Sequence, residues 1–217
     1  MKSTACALVL LPLAANAATT YSNTWTVNST VPDNDDAGYS NTRNLTTLDI
    51  TEITSVTVEL TFGGGFNGDL YGYLVHGSGF AVLLNRPGRD SATPDGSATV
   101  GMDVTFDDAA ASDLHTTIPT SGGAVNGTYQ PDGRTTDPLL VVAGDPRPAM
   151  LASFSGLDAN GNWTLFLADQ SAGGTSTLQS WTLTVTGIPE PSAAWLGLAC
   201  PVILLRRRRL VVTTYQK

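Results

Sequence analysis

Two stretches in the second half of the chain alternate apolar and polar residues with a period of two. Trp163, Leu165 and Leu167 are interleaved with Thr164 and Phe166, and Trp181, Leu183 and Val185 with Thr182, Thr184 and Thr186. This period turns one set of side chains to a buried face and the other away from it, which predicts two half-buried strands. The connection, Asp169 to Thr177, holds Gly173-Gly174 among Ser, Thr and Gln. Glycine takes positive φ at little steric cost, so the pattern predicts one β-hairpin over residues 161–187. Further strands are predicted at 21–31, with Trp25 and Val27, and at 55–62, where Val56, Val58, Leu60 and Phe62 face the core and Thr57, Glu59 and Thr61 face water. Segments 70–75 and 81–84 follow, then Val100, Met102, Val104 and Phe106 alternate again. Residues 45–53 carry apolar positions without regularity. The glycine-rich run 63–68 reads as a flexible loop, and residues 85–98, rich in Pro, Gly and Asp, as the most insertion-like part of the chain.

No segment of ten or more residues shows a helical stripe, apart from the two ends. The expected fold is therefore all-β: a jelly-roll-like antiparallel β-sandwich whose inner faces hold the alternating apolar residues. Trp163 and Trp181 are expected in its core, each worth a few kcal/mol by buried area. A sugar-stacking role would need these two rings exposed, and their place in strictly alternating strands argues for the core.

The two ends follow other rules. Residues 1–17 combine Lys2, an apolar run from Ala5 to Ala15 and the small-x-small site Ala15-Asn16-Ala17, which reads as a secretory signal peptide. At the other end, Pro189-Glu190-Pro191 precedes the apolar stretch 193–205, and Arg206, Arg207, Arg208 and Arg209 follow it. The stretch is shorter than the roughly 20 residues of a spanning helix, and the arginines would hold the tail on the cytoplasmic side. Motif, short apolar segment and arginine cluster, in that order, resemble the PEP-CTERM sorting signal of Gram-negative bacteria. The resemblance implies cutting near the motif by an exosortase, and the alternative is an ordinary stop-transfer anchor. The expected organisation is a signal peptide at 1–17, a β-sandwich domain at 18–187 and a sorting signal, with a short apolar helix, at 188–217. The protein is then exported to the cell surface or beyond, transiently anchored in the inner membrane by its C-terminal segment.

Charge narrows the partners. Residues 18–187 hold five arginines, no lysine and eighteen carboxylates, a net charge of −13. Nucleic acid and anionic membranes need cationic surface, so neither is expected as a partner. Both cysteines, Cys6 and Cys200, lie in the end segments, so no disulfide staples the domain. The sequons at Asn28, Asn44, Asn126 and Asn162 follow from a composition rich in Asn, Ser and Thr.

Candidate chemistry is sparse. Asp33, Asp35 and Asp36 in one acidic turn, and Asp107 with Asp108 in another, could supply oxygen ligands to calcium, the one cofactor proposed. The simpler reading makes them turn residues that accept backbone hydrogen bonds. The two histidines, His76 in a Gly-Ser-Gly turn and His115 in a loop, have no zinc spacing. No nucleophile motif accompanies them, so no catalytic residue is assigned.

Several motifs nevertheless recur in a known order. Val31-Pro32-Asp33, Gly68-Asp69-Leu70, Phe106-Asp107-Asp108 with Ala110, Gly127-x-Tyr129-x-Pro131, Phe154-x-Gly156 and Gly161-x-Trp163-x-Leu165 through Leu178-x-x-Trp181-x-Leu183 span nearly the whole domain. Together they resemble the P domain (P/Homo B) that follows the subtilisin-like catalytic domain of proprotein convertases. Two positions depart from it. Gly63 or a neighbour stands where a histidine is usual, and His76-Gly77-Ser78-Gly79 replaces a Ser-Pro-x-Gly turn. The resemblance implies a β-sandwich that stabilises a protease, with the catalytic triad in a separate domain. Two functions follow: an exported, non-catalytic binding or structural module contacting an extracellular polymer or protein, or an accessory domain working with a separately encoded serine endopeptidase.

Overall fold

Tertiary pairing sorts the alternating stretches into two sheets. The computed structural model describes residues 17–190. Its strands are β1 (Thr19–Thr30), β2 (Asp35–Leu45), β3 (Ile50–Phe66), β4 (Leu70–His76), β5 (Gly79–Asn85), β6 (Ala98–Phe106), β7 (Ser121–Gly122), β8 (Val125–Tyr129), β9 (Gly161–Asp169) and β10 (Thr177–Pro189). One turn of helix, α1 (Leu114–Thr117), precedes β7. The larger sheet runs β1-β10-β3-β6, with β7 and β8 both beside β6, and the smaller runs β2-β9-β4-β5. All these pairings are antiparallel except those of β7 and β8, which run parallel to β6. The protein is thus an all-β sandwich, as its alternation predicts, with one parallel seam that alternation could not show.

The predicted hairpin is not one. β9 pairs with β2 and β4, whereas β10 pairs with β1 and β3, so residues 170–176 carry the chain from one sheet to the other. The physical reason is that Trp163, Leu165 and Leu167 face Trp181, Leu183 and Val185 across the interior, and all six are fully buried. Period two reports which face is inside and says nothing of which strand lies alongside. The connection is also longer than the two to five residues of an ordinary hairpin loop.

Each tryptophan keeps its indole N–H satisfied. Trp163 Nε1 donates to the Ala159 carbonyl at 3.0 Å, and Trp181 Nε1 to Asn41 Oδ1, also at 3.0 Å, tying β10 to β2 across the sandwich. Trp25 lies opposite Trp181 in register, ring centroids 4.6 Å apart, and the Arg43 guanidinium stands 5.4 Å from the Trp25 ring. On the outer face of the larger sheet, Thr20, Ser22 and Thr24 pair hydroxyl to hydroxyl with Thr186, Thr184 and Thr182. Polar residues outside and aromatic residues inside account for why β1 and β10 register as they do.

Three local readings change. β3 does not stop at Phe62: the glycine-rich run continues it, and positive φ at Gly64 and Gly65 kinks the strand so that Phe66 points outward, 40% exposed. Alternation in β6 breaks at Gly101, which takes φ +76, so Val100 is 42% exposed while Thr99 is buried. A glycine in the left-handed region is what a bulge of this kind requires. Finally β2, whose residues are mostly polar, is a full strand that hydrophobic pattern alone does not reveal. It is an edge strand, so only one face and one side need to be paired.

Candidate functional site

The segments between strands hold an unusual share of the buried charge. Asp113 caps α1 by accepting the His115 amide at 2.9 Å. Beyond β8 the chain wraps back along β5: the Asp132 and Gly133 amides donate to Leu83 and Val82 carbonyls, and Val82 N–H to Ala149. This wrap covers the free edge of β5 and carries Arg134 into the interior. Arg134 Nη2 reaches Asp113 Oδ2 at 2.8 Å and the Ala143 carbonyl at 2.7 Å, and Nη1 reaches Asp132 Oδ1 at 3.3 Å. Asp132 Oδ2 in turn meets His115 Nδ1 at 2.8 Å, and His115 Nε2 meets the Arg89 carbonyl at 2.9 Å. Burial opposes the charged form of His115, but the hydrogen-bonded Asp132 carboxylate outweighs it, so the imidazole pKa stands above its ordinary value.

His115 borders a cleft of about 240 Å³ between the Gly88–Gly96 loop and residues 115–120. An Asp-His pair beside a cleft has two members of a hydrolytic triad. The third place is taken by a backbone carbonyl, since Arg89 oxygen occupies Nε2. His76 is similarly engaged. It ends β4 rather than sitting in a turn, stacks flat on Trp163 with ring centroids 4.0 Å apart, and meets the Asn162 carbonyl at 3.0 Å and the Asp158 carbonyl at 2.6 Å.

A second cleft, of about 360 Å³, opens where β3 turns into β4, lined by Phe66, Asp69, Asp95, Ser97 and Ser171 among others. Gly68 makes this turn possible, because a Cβ there would come within 2.3 Å of the Ser97 nitrogen. Arg86, at φ +48, donates to the Gly68 carbonyl at 3.0 Å and approaches Asp69 at 3.5 Å. The ion pair is long, and both side chains are buried. Burial, then the nearby Asp169 carboxylate, pushes Asp69 up to about 6, and burial likewise lowers Arg86. Residues 85–98 form a loop whose middle, around Ser91 to Asp95, is largely exposed, while its ends are anchored by the buried Asn85, Arg86 and Ser97.

A third pocket, of about 310 Å³, lies on the outer face of the smaller sheet, against Tyr71 and Phe166, with Asp36, Asp137, Leu139 and Gln170 at its margin. Phe166 continues a row of rings across the strands: Tyr73 stacks on it at 4.7 Å and Phe80 packs on Tyr73 at 5.3 Å.

The acids named from the sequence fall in separate places. Asp33 accepts the Gly173 amide at 3.2 Å, Asp35 the Ala37 amide at 2.9 Å, and Asp36 is exposed at the third pocket. Asp107 accepts the Ala109 amide at 2.9 Å, and Asp108 takes two, from Leu151 at 3.1 Å and Ala152 at 2.7 Å. The register of β1, β10, β3 and β6 puts the two acidic turns at opposite ends of the sandwich. Among the described residues no three His, Cys, Asp or Glu side chains gather as a metal ligand set. Of the sorting motif, Pro189 ends β10 opposite Ile50 and Glu190 is the last described residue, while Pro191 and Arg206 to Arg209 lie outside the described residues. The signal-peptide segment lies outside them as well.

Sequence reasoning passed over Asp113, Asp132 and Arg134. The signal available was the spacing Asp-x-His at 113–115 and Asp-x-Arg at 132–134, an acid two residues before a basic side chain in each case.

Fold and site together define an all-β sandwich with a buried ionic cluster in its loops. No protein-family model and no curated protein matches the chain. Among solved structures it is similar to the serine protease of Aeromonas sobria in complex with its chaperone, at 15% identity and TM-score 0.45, covering 80% of this chain and 28% of that one. The same protease alone gives 15% identity and TM-score 0.44, covering 79% and 27%. The chain thus spans little more than a quarter of the length of the proteins it resembles.

Proposed function

We propose that this chain is an exported, non-catalytic β-sandwich module that binds a polymer or a partner protein at or beyond the cell surface, sent there by residues 1–17 and sorted by residues 188–217. The observation that carries the non-catalytic part is the state of the two imidazoles. A histidine acting as general base must turn one nitrogen toward a nucleophile. In His115 and His76 all four ring nitrogens are instead met by protein oxygens, at 2.6 to 3.0 Å. Treating the purified chain with a fluorophosphonate probe for activated serines should give no labelling. Labelling that disappears on His115→Asn would overturn this reading.

Export and sorting rest on the end segments alone. Replacing Pro189-Glu190-Pro191 with alanines should leave an uncut, membrane-associated precursor. Release of normal-sized protein would remove the exosortase from the account. The ordered motifs that resemble P domains favour a second reading, an accessory domain for a serine endopeptidase encoded nearby. Co-expression with such a protease decides it: a longer protease half-life in the presence of this chain supports the accessory role, and no change sinks it.

A further inference from the structure

The pocket on the outer face of the smaller sheet has the makings of a cation seat. Tyr71 and Phe166 both project from the outer face and form an aromatic floor. Asp36 and Asp137 stand at its margin, together with the Gln170 amide. The Asp36 carboxylate makes no hydrogen bond or ion pair among the described residues, and the Asp137 carboxylate accepts only the Leu139 amide, at 2.8 Å.

The margin is held in place. Arg89 Nη1 donates to the Val141 carbonyl at 2.6 Å and its Nη2 to the Leu139 carbonyl, so residues 137–141 are clamped before any ligand arrives. A preformed pocket spares the ligand the cost of ordering a loop.

Charge selects the occupant. All five arginines of the domain are engaged within it: Arg43 over Trp25, Arg86 and Arg134 buried with carboxylates, and Arg89 and Arg147 on backbone carbonyls. The exposed charges are left almost wholly negative, and the pocket places two of them beside π faces. An ammonium or guanidinium group gains from both, by charge-assisted hydrogen bonds to carboxylate and by attraction to the ring quadrupole. Leu139 and Leu140, 54% and 68% exposed, offer an apolar shelf alongside.

We propose that this pocket takes a lysine or arginine side chain of a partner polypeptide, its methylenes on Tyr71 and Phe166 and its charge on Asp36 and Asp137, with neighbouring apolar residues of the partner on Leu139 and Leu140. The proposal rests on the reading of the chain as a binding module and names the partner's chemistry.

The test uses the full chain and a fluorescein-labelled Ala-Leu-Lys-Leu-Ala peptide, read by anisotropy. Its twin carrying Nε-acetyl-lysine should bind at least about tenfold more weakly, and so should the lysine peptide to the Asp36→Asn/Asp137→Asn variant. Asparagine at 137 can still accept the Leu139 amide, so the variant should melt like wild type. Asp103→Asn, which removes an exposed acid from the other sheet, should leave binding unchanged. Equal binding of the acetylated twin, equal loss in Asp103→Asn, or no binding at all would overturn the proposal. Displacement of the peptide by cellohexaose would overturn it in favour of a carbohydrate platform. Fluorophosphonate labelling reports separately on the non-catalytic reading, so each can fail without the other.

Discussion

Trp163 and Trp181 fill the space between the sheets, while Arg134, nearly as large and as fully buried, sits among loop segments docked along the edge of β5. Around the tryptophans the packing is mostly apolar, with the His76 imidazole stacked on Trp163, the backbone groups are paired in ladders, and the indole N–H groups find one oxygen each. Around Arg134 the neighbours are Asp113, Asp132 and the Ala143 carbonyl, and every one is there to neutralise or accept from the guanidinium. Burial by area favours the first region outright. The second gains little net stability over an apolar filling of the same shape, and losing one partner is what makes it costly. An irregular loop has no ladder to satisfy its carbonyls, and Arg134 takes that role for two of them, donating to the Ala143 and Asp132 carbonyls, while its buried Nε has no partner among the described residues. This domain thus has an apolar core for stability and an ionic cluster that fixes where its loops lie.

The largest effect tests the first region. Trp181→Ala and Trp163→Ala should each cost about 3 to 5 kcal/mol, measured by chemical denaturation, and wild-type-like unfolding of both would break the distinction at its base. Arg134→Met comes next. It strands Asp113 and Asp132 in the interior, at about 3 kcal/mol, the lower end of the range because His115 and Arg147 remain as partners for the two acids. A variant as stable as wild type would show that the second region is filler.

Acidity separates the apolar core from the charged loops next, through Asp69 in its cleft and His115 beside Asp132. Asp69 is raised from 3.8 to about 6, so its protonated state favours folding: that contribution is full below pH 3.8 and is lost as pH rises through 6. His115 is raised above 6.5, so its charged state favours folding, fully below 6.5, with loss as pH rises through its folded value. Both signs agree. Stability should fall from mildly acid to alkaline pH, and Asp69→Asn should raise the melting temperature at pH 8 relative to its effect at pH 4. A pH-independent effect of Asp69→Asn would contradict this.

The smallest effects concern the acidic turns. Asp108→Ala removes a carboxylate that caps two amides and should cost about 1 kcal/mol. Calcium remains a proposal at either acidic turn, Asp33, Asp35 and Asp36 or Asp107 and Asp108, with a plain readout: a melting temperature that rises with calcium and falls with chelator supports it, and loss of both responses in Asp107→Asn assigns the ion to the second turn. Indifference to both leaves Asp33, Asp35, Asp107 and Asp108 as turn residues. That result would sharpen the contrast, leaving the arginine cluster, the Asp69 cleft and the outer pocket with Asp36 and Asp137 as the domain's charged devices.

Alternation along the chain was enough to specify the class of architecture and most of its inner face. Val56, Val58, Leu60, Trp163, Leu165, Trp181, Leu183 and Val185 are all buried, as their alternation requires, because side-chain direction in a strand depends only on the parity of position. Tertiary structure decided which strands neighbour one another, since parity is blind to partners. β9 and β10 therefore face each other across the core instead of lying side by side. It also decided where glycines at positive φ reset the parity, turning Val100 and Phe66 outward, and which loops close over Arg134. The outer pocket belongs to it too: Asp36, Tyr71, Asp137 and Phe166 come from four separate segments, and nothing in their spacing along the chain brings them together. Long-range pairing and loop docking do that, through contacts between residues far apart in sequence whose complementarity exists only once the two sheets are stacked.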